Sequence, residues 1–249
     1  MEKVLITGTS TGIGYELARV FCKNGYEVIL HGMNKKRLFS AKEKLEKEFE
    51  TTILTFDQDL SQTGGAMALY KKIEQYGLSI DILINNAGMG LMDQSEKIDF
   101  EADEALMLLN VISLVQLCKL ILPTMYQRGR GKILNLASVA AFQPGPYNST
   151  YFASKAFVLS YSRAIRYEAK EHGVQVCTLC PRTTKTKFFD REGIAPPPGA
   201  VEPEVVAEIA YQKLMKNKEI IVPGLMDRLT LLMPVRLRIK LSAMMVKLR

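Results

Sequence analysis

The chain has 249 residues, 47% apolar and 24% charged, which excludes a disordered chain and leaves ample length for one sizeable core. Its net charge of +7 is concentrated in residues 225–249, where Arg228, Arg236, Arg238, Lys240, Lys247 and Arg249 face one acid, Asp227; the remainder is close to neutral, so no nucleic-acid surface is expected. The four cysteines, Cys22, Cys118, Cys177 and Cys180, do not make a disulfide scaffold, and no apolar run is expected to reach the roughly 20 residues that span a bilayer.

In chain order, short apolar runs at 4–7, 27–31, 51–56, 81–84, 132–137, 174–180 and 219–222 read as strands. They alternate with helical patterns at 12–24, 35–49, 64–77, 101–128, 150–172 and 203–217. Seven strands separated by six helices predict the α/β class: a Rossmann-like, doubly wound parallel sheet with helices on both faces. Residues 1–249 read as a single dinucleotide-binding domain, with no repeat or linker. A Pro/Gly-rich stretch at 195–200 could border a pocket or be an exposed connection.

The first strand runs into Thr7-Gly8-Thr9-Ser10-Thr11-Gly12-Ile13-Gly14, which then opens the first helix. Glycine allows a tight turn and close approach of a diphosphate to the backbone. The helix N-terminus presents unpaired N–H groups and partial positive charge. Glycines also serve plain turns, but the strand-turn-helix context is that of a dinucleotide site. Gly8, Ser10, Thr11, Gly12, Ile13 and Gly14 are therefore the expected diphosphate contacts.

Further along come Asn85-Asn86-Ala87-Gly88, Asn110 within a helix, Ser138 after the fifth strand, and Tyr151-Phe152-Ala153-Ser154-Lys155. Together with the spacing T-G-x-x-x-G-x-G, these residues resemble the short-chain dehydrogenase/reductase family from Val4 to about Val222. The resemblance implies strand order 3-2-1-4-5-6-7 and hydride exchange between a nicotinamide dinucleotide and a carbonyl or secondary alcohol. It places Asn86, Ala87, Gly88, Asp59 and Leu60 at the cofactor, with Pro181 and Thr186 near the nicotinamide. The expected assembly is a homodimer or homotetramer.

Carbonyl reduction needs a proton donor beside the oxygen that gains charge. A tyrosine near pKa ~10 is a reluctant donor at neutral pH, and a nearby cation lowers that value. Lys155 lies four residues after Tyr151, on the same helix face. Alone, that spacing is commonly a solvated helix pair; its place after Ser138 and the glycine loop makes it specific. Ser138 sits at a strand's C-terminal end, where ligands of open α/β sheets bind. The resemblance gives Asn110 a water-linked proton relay to Lys155, and gives Lys155 a second role on the nicotinamide ribose. The catalytic set is thus Asn110, Ser138, Tyr151 and Lys155, with Tyr151 and Lys155 also touching the cofactor and no metal expected.

The adenine ribose should meet residues 31–34. NAD-preferring relatives usually carry an acid where this chain has Gly32; NADP-preferring relatives often carry Arg at Met33 and a basic residue at Thr11. Neither mark is present. Without a repelling carboxylate, and with Lys35, Lys36 and Arg37 close by, the expectation is NADP over NAD. After the sixth strand, Arg182 replaces the glycine of the family's Pro-Gly-x-x-x-Thr, so either the loop adapts or an anionic group meets Arg182.

Cys177 and Cys180 lie in one strand, where residues three apart face opposite sides, so buried structural thiols are expected. Pocket walls should come from 89–94, 139–147 and 188–198, largely apolar, with Gln143 and Tyr147 for polar contacts. From Val235 on, Leu237, Leu241, Met244, Met245 and Leu248 share a helical stripe beside basic residues. This tail could dock on an anionic membrane, pack on a partner subunit, or pack on the body of its own chain. The expected location is the cytoplasm, with peripheral membrane contact through 225–249. Two other functions compete with the carbonyl reductase. A catalytically silent NAD(P)-binding sensor would lack the Tyr/Lys pair, and a nucleotide-sugar epimerase would have a longer substrate domain.

Overall fold

A parallel strand covered on both faces reads as continuous apolar sequence. The strands are β1 (Lys3–Thr7), β2 (Glu27–Gly32), β3 (Leu54–Asp57), β4 (Ile82–Asn85), β5 (Gly131–Leu136), β6 (Val174–Leu179) and β7 (Ile220–Ile221). In the computed structural model, which describes residues 1–186, 199–224 and 233–247, they form one parallel sheet ordered β3-β2-β1-β4-β5-β6-β7. This is the expected order. It reverses direction between β1 and β4, so the crevice for a ligand opens at their C-terminal ends.

Alternation along each strand sends neighbours to opposite faces. Leu5, Ile29, Leu83, Ile133 and Val176 join one core with α3 (Gly65–Gln75) and the long helices α5 (Ser113–Arg128) and α6 (Ser149–Lys170). Val4, Ile6, Leu30, Ile84 and Leu134 join the other with α1 (Gly12–Lys23), α2 (Lys35–Phe49) and α7 (Pro203–Met215). Cys177 falls in the second core and Cys180 in the first, and all four cysteines are buried free thiols. Burial pushes Cys177 up to about 11 and Cys22, Cys118 and Cys180 up to about 12, so they stay protonated.

Asparagines also enter the core. Asn85 and Asn135 sit opposite each other on β4 and β5. Asn85 Nδ2 donates to Asn135 Oδ1 at 2.9 Å, Asn135 Nδ2 donates to Ser162 Oγ at 2.9 Å, and that hydroxyl donates to Val158 O at 2.6 Å. The thread ties two strands to α6.

Four local expectations change. The 51–56 strand begins only at Leu54, because the Ile53 N–H donates to Glu46 Oε1 at 2.9 Å instead of a neighbouring strand. The helix expected over 101–128 is α4 (Phe100–Met107), one π-helical turn (Leu108–Ile112) and α5, joined without a break. That continuous helix is long and apolar enough to cross a bilayer, against the expectation. Half of its most apolar stretch is buried inside the protein, with Leu117, Cys118, Ile121 and Met125 in the first core. Short 3-10 turns at Ser95–Lys97 and Val139–Phe142 were not expected. The tail forms α8 (Val235–Lys247).

Candidate active site

The glycine loop is shaped by its surroundings. Gly8 and Gly12 adopt φ of 73° and 65°, the left-handed region. Thr9 fastens the loop to β2: its N–H and its hydroxyl both donate to His31 O, at 2.9 and 3.1 Å. Asn86, expected at the cofactor, lines the cleft and also acts as a strut. Its Nδ2 donates to Thr7 O at 2.8 Å and Gly8 O at 3.1 Å. Thr7 Oγ1 accepts in return from the N–H groups of Asn86 and Ala87, both at 3.0 Å. Sequence reading missed Thr7 and Thr9 as supports; two threonines flanking the first loop glycine were the available signal.

These parts fit a dinucleotide. Thr11, the N-cap of α1, makes no side-chain capping bond, so no side chain competes for the first-turn N–H groups. Added methyls at Gly8 and Gly12 would stand 2.9 Å from Ala87 Cα and from Thr186 Cγ2, so the loop takes no larger residue. Ser10, Thr11, Gly12, Ile13, Gly14, Met33, Asp59, Leu60, Asn86, Ala87, Gly88, Pro181 and Thr186 all line one cleft with a volume of about 670 Å³. Asp59 Oδ1 accepts from the Ser61 N–H and hydroxyl at 2.8 and 2.6 Å, fixing the turn beside Leu60. His31, near the end of β2, is buried and its Nε2–H donates to Gln58 O at 2.8 Å. Burial pushes it down to about 4, so it is neutral at physiological pH and its buried Nδ1 is an acceptor with no partner among the described residues.

The Tyr151 and Lys155 side chains reach the same cleft from the first turns of α6, and Ser138 from the end of β5. Ser138 caps the 3-10 turn, its Oγ accepting from Ala140 N–H at 3.1 Å and facing Pro181 O at 3.4 Å. Burial raises the Tyr151 phenol, and its hydrogen bond with Ser138 opposes that rise. Lys155 Nζ lies 5.7 Å from the Tyr151 ring centre and donates to Leu136 O at 3.0 Å. Burial lowers Lys155 from 10.5 to about 8. The expected lowering of the tyrosine is thus absent here: burial of the phenol outweighs its hydrogen bond with Ser138.

Asn110 is placed by the π turn. Such turns insert one extra residue into a helix and often occur at functional positions. Asn110 Nδ2 donates to Met89 O at 2.8 Å and Ser154 Oγ at 3.1 Å, and its Oδ1 accepts from Met89 N–H at 2.9 Å. A methyl on Gly88 would stand 3.1 Å from Asn110 Oδ1 and 3.3 Å from Lys155 Nζ, which sets these two groups side by side.

Arg182 has no positive φ, and the loop around it is braced by Val201, through Lys185 N–H to Val201 O at 2.8 Å and Val201 N–H to Thr183 O at 3.0 Å. The backbone at this position therefore needs none of glycine's freedom, and Arg182 lines the cleft. Gln143 lines the cleft, but Tyr147 does not; it has turned into the left-handed region at φ 64°. Residues 188–198 lie outside the described residues. Within the chain, α8 packs on the body of the protein, where Arg238 donates to Phe142 O and Arg238, Leu241 and Ser242 line the cleft.

The sequence model of the short chain dehydrogenases matches residues 2–194. The chain belongs to the short-chain dehydrogenase family. It is 31% identical to the NADP-dependent 3-hydroxy acid dehydrogenase of Salmonella typhi over 72% of this chain and 71% of that one. Among solved structures it resembles a short-chain dehydrogenase from Sphingobium yanoikuyae in complex with NADPH, at 31% identity and TM-score 0.86, covering 90% of this chain and 89% of that one. It also resembles a bulky-bulky ketone specific alcohol dehydrogenase from Comamonas testosteroni, at 28% identity and TM-score 0.81, covering 90% and 87%. This short-chain dehydrogenase is an NAD(P)-dependent oxidoreductase acting on CH–OH or C=O groups.

Proposed function

We propose that this dehydrogenase reduces the carbonyl of an apolar substrate, with Ser138, Tyr151 and Lys155 as the reacting constellation and NADPH as the preferred reductant. The observation that carries the reading is the Ser138–Tyr151 hydrogen bond beside buried Lys155, in the cleft shared with the glycine loop. A bound dihydronicotinamide supplies a hydride to the carbonyl carbon. Tyr151 gives its phenolic proton to the oxygen, Ser138 hydrogen-bonds that same oxygen, and the Lys155 ammonium stabilises the phenolate left behind. Asn110 orders the Met89 backbone next to Lys155. Met89, Met92, Val139, Ala140 and Pro146 make the substrate end apolar, and the Comamonas relative acts on bulky ketones by its name.

NADPH consumption with a panel of ketones tests the reading. A protein that binds NADPH and reduces none of them is a sensor instead. The pH profile adds a second check. Lys155 loses its charge as pH rises through about 8, so kcat/KM for reduction should fall above that pH. Lys155→Arg, which stays charged, should move this limb upward. Stability runs the other way: the folded chain holds this proton less tightly than the unfolded one, so the cost of burying the ammonium is complete below pH 8 and is relieved toward 10.5.

Support for NADPH comes from the adenosine end. Asn34 caps α2 by accepting the Arg37 N–H at 3.0 Å, and both residues line the cleft beside uncharged Gly32 and Met33. A 2′-phosphate there meets a helix N-terminus and the Arg37 guanidinium. Arg37→Ala should raise KM for NADPH by about tenfold, the loss of one charge-assisted hydrogen bond, and leave KM for NADH nearly unchanged. Equal effects on both cofactors would count against Arg37 as the discriminating group.

A further inference from the structure

The tail is the most basic segment of the chain, yet one of its arginines is buried. Arg238 is 7% exposed. Its Nε donates to Met233 O at 3.1 Å and its Nη1 to Phe142 O at 3.1 Å, with Gln143 Oε1 at 3.5 Å. Among the described residues no carboxylate pairs with it. A buried cation requires such compensation, and here it comes from carbonyls. Phe142 ends the 3-10 turn that Ser138 caps. Carbonyls at the end of a helical turn lack partners and carry partial negative charge, so a guanidinium fits there. Arg238 therefore fastens α8 to the turn that begins at Ser138.

Leu241 and Ser242 follow Arg238 by three and four residues, on the same helix face. Both line the cleft, together with Gln143 and Pro146. Arg236 and Lys240 are exposed, so the basic charge faces outward while the Arg238 face turns toward the cleft.

We propose that α8 is the outer wall of the substrate end of the cleft, with Leu241 and Ser242 setting the size of carbonyl compound admitted and Arg238 as the positioning residue that holds the wall. This rests on the carbonyl-reductase reading. The wall and the Tyr151 hydroxyl are linked through one short turn, so the bulk of a ketone substituent is gauged against the same segment that orients Ser138.

The test uses the full chain and two ketones, butanone and benzophenone, with NADPH affinity measured by its fluorescence. Leu241→Trp should raise KM for benzophenone about tenfold and that for butanone less than about twofold, the size discrimination of an apolar pocket. Leu241→Ala should narrow the difference between the two ketones. Arg238→Ala should narrow the difference between the two ketones as Leu241→Ala does, with NADPH affinity preserved, and Arg238→Lys should restore part of the discrimination. Equal losses on both ketones, or no change on either, overturn the wall. A wild-type protein that binds NADPH and reduces neither ketone overturns the functional reading, and the wall with it. If Arg238→Ala fails to fold, the Leu241 pair decides.

Discussion

Tyr151→Phe is expected to lower kcat for ketone reduction by about three orders of magnitude, within the ~10²–10⁴ range of a positioned general acid, while NADPH binds as before. The substitution removes one hydroxyl and keeps the ring, so the edge contact with Phe152 at 6.0 Å survives. Ser138 still accepts from Ala140 N–H, so its turn keeps its shape. What disappears is the phenolic proton that the proposed mechanism delivers to the substrate oxygen. Steady-state absorbance and a fluorescence titration of NADPH measure both halves. Wild-type turnover in the variant would remove Tyr151 from the chemistry. Loss of NADPH binding in step with turnover would make its role structural.

Gly14→Ala should be strongly damaging to the glycine loop. Its Cβ would stand 2.3 Å from Gly8 O and 2.3 Å from Asn86 Nδ2. Neither neighbour can yield cheaply. Gly8 is already in the left-handed region, and the Asn86 amide is held by two backbone carbonyls. Either α1 shifts away from the loop or the strut breaks. Overpacking of this kind costs about 1–3 kcal/mol, and a lost buried amide bond adds about 1 kcal/mol. For a chain of this size that lowers Tm by roughly 5–10 °C, and NADPH affinity should fall more than about tenfold as the N–H groups of α1 move. Gly25 is the contrasting site: unlike Gly14 it has positive φ, at 77°, and nothing stands within 4 Å of an added methyl. Gly25→Ala should lower Tm slightly through backbone strain alone, about 1–2 kcal/mol, with NADPH affinity intact. Equal loss of NADPH affinity in the two variants would show that the crowding at Gly14 does not set the effect.

The strands were legible because each rests on a local pattern of buried apolar residues, and the glycine loop and the Tyr151–Lys155 spacing likewise. The strand order and the meeting of Ser138 with that pair were legible through the resemblance to short-chain dehydrogenases. The missing features depend on partners remote in sequence. The π turn at Asn110 leaves the apolar period of its helix nearly unbroken, and the side chain it places is held by the Met89 backbone, 21 residues away. The placement of α8 depends on an arginine meeting a carbonyl 96 residues earlier. Asn86 read as a ligand contact because its strut role requires knowing that β1 and β4 are neighbours. Tyr151 read as acidified by Lys155 because spacing conveys proximity but not burial, and burial decides both titrations.

The thread from Asn85 through Asn135 to Ser162 has a mechanical consequence. Ser162 lies seven residues beyond Lys155, nearly two turns of α6, so a bond at one point on the helix indexes the height of the other. Apolar packing alone tolerates sliding, since one methyl group is much like the next. A hydrogen bond of 2.9 Å does not. The thread works as a detent: α6 can sit on the sheet at one axial position, and at that position Tyr151 and Lys155 stand level with the end of β5. The precision of the reacting groups at the mouth of the cleft is then set two helical turns deeper, in the interior of the sheet.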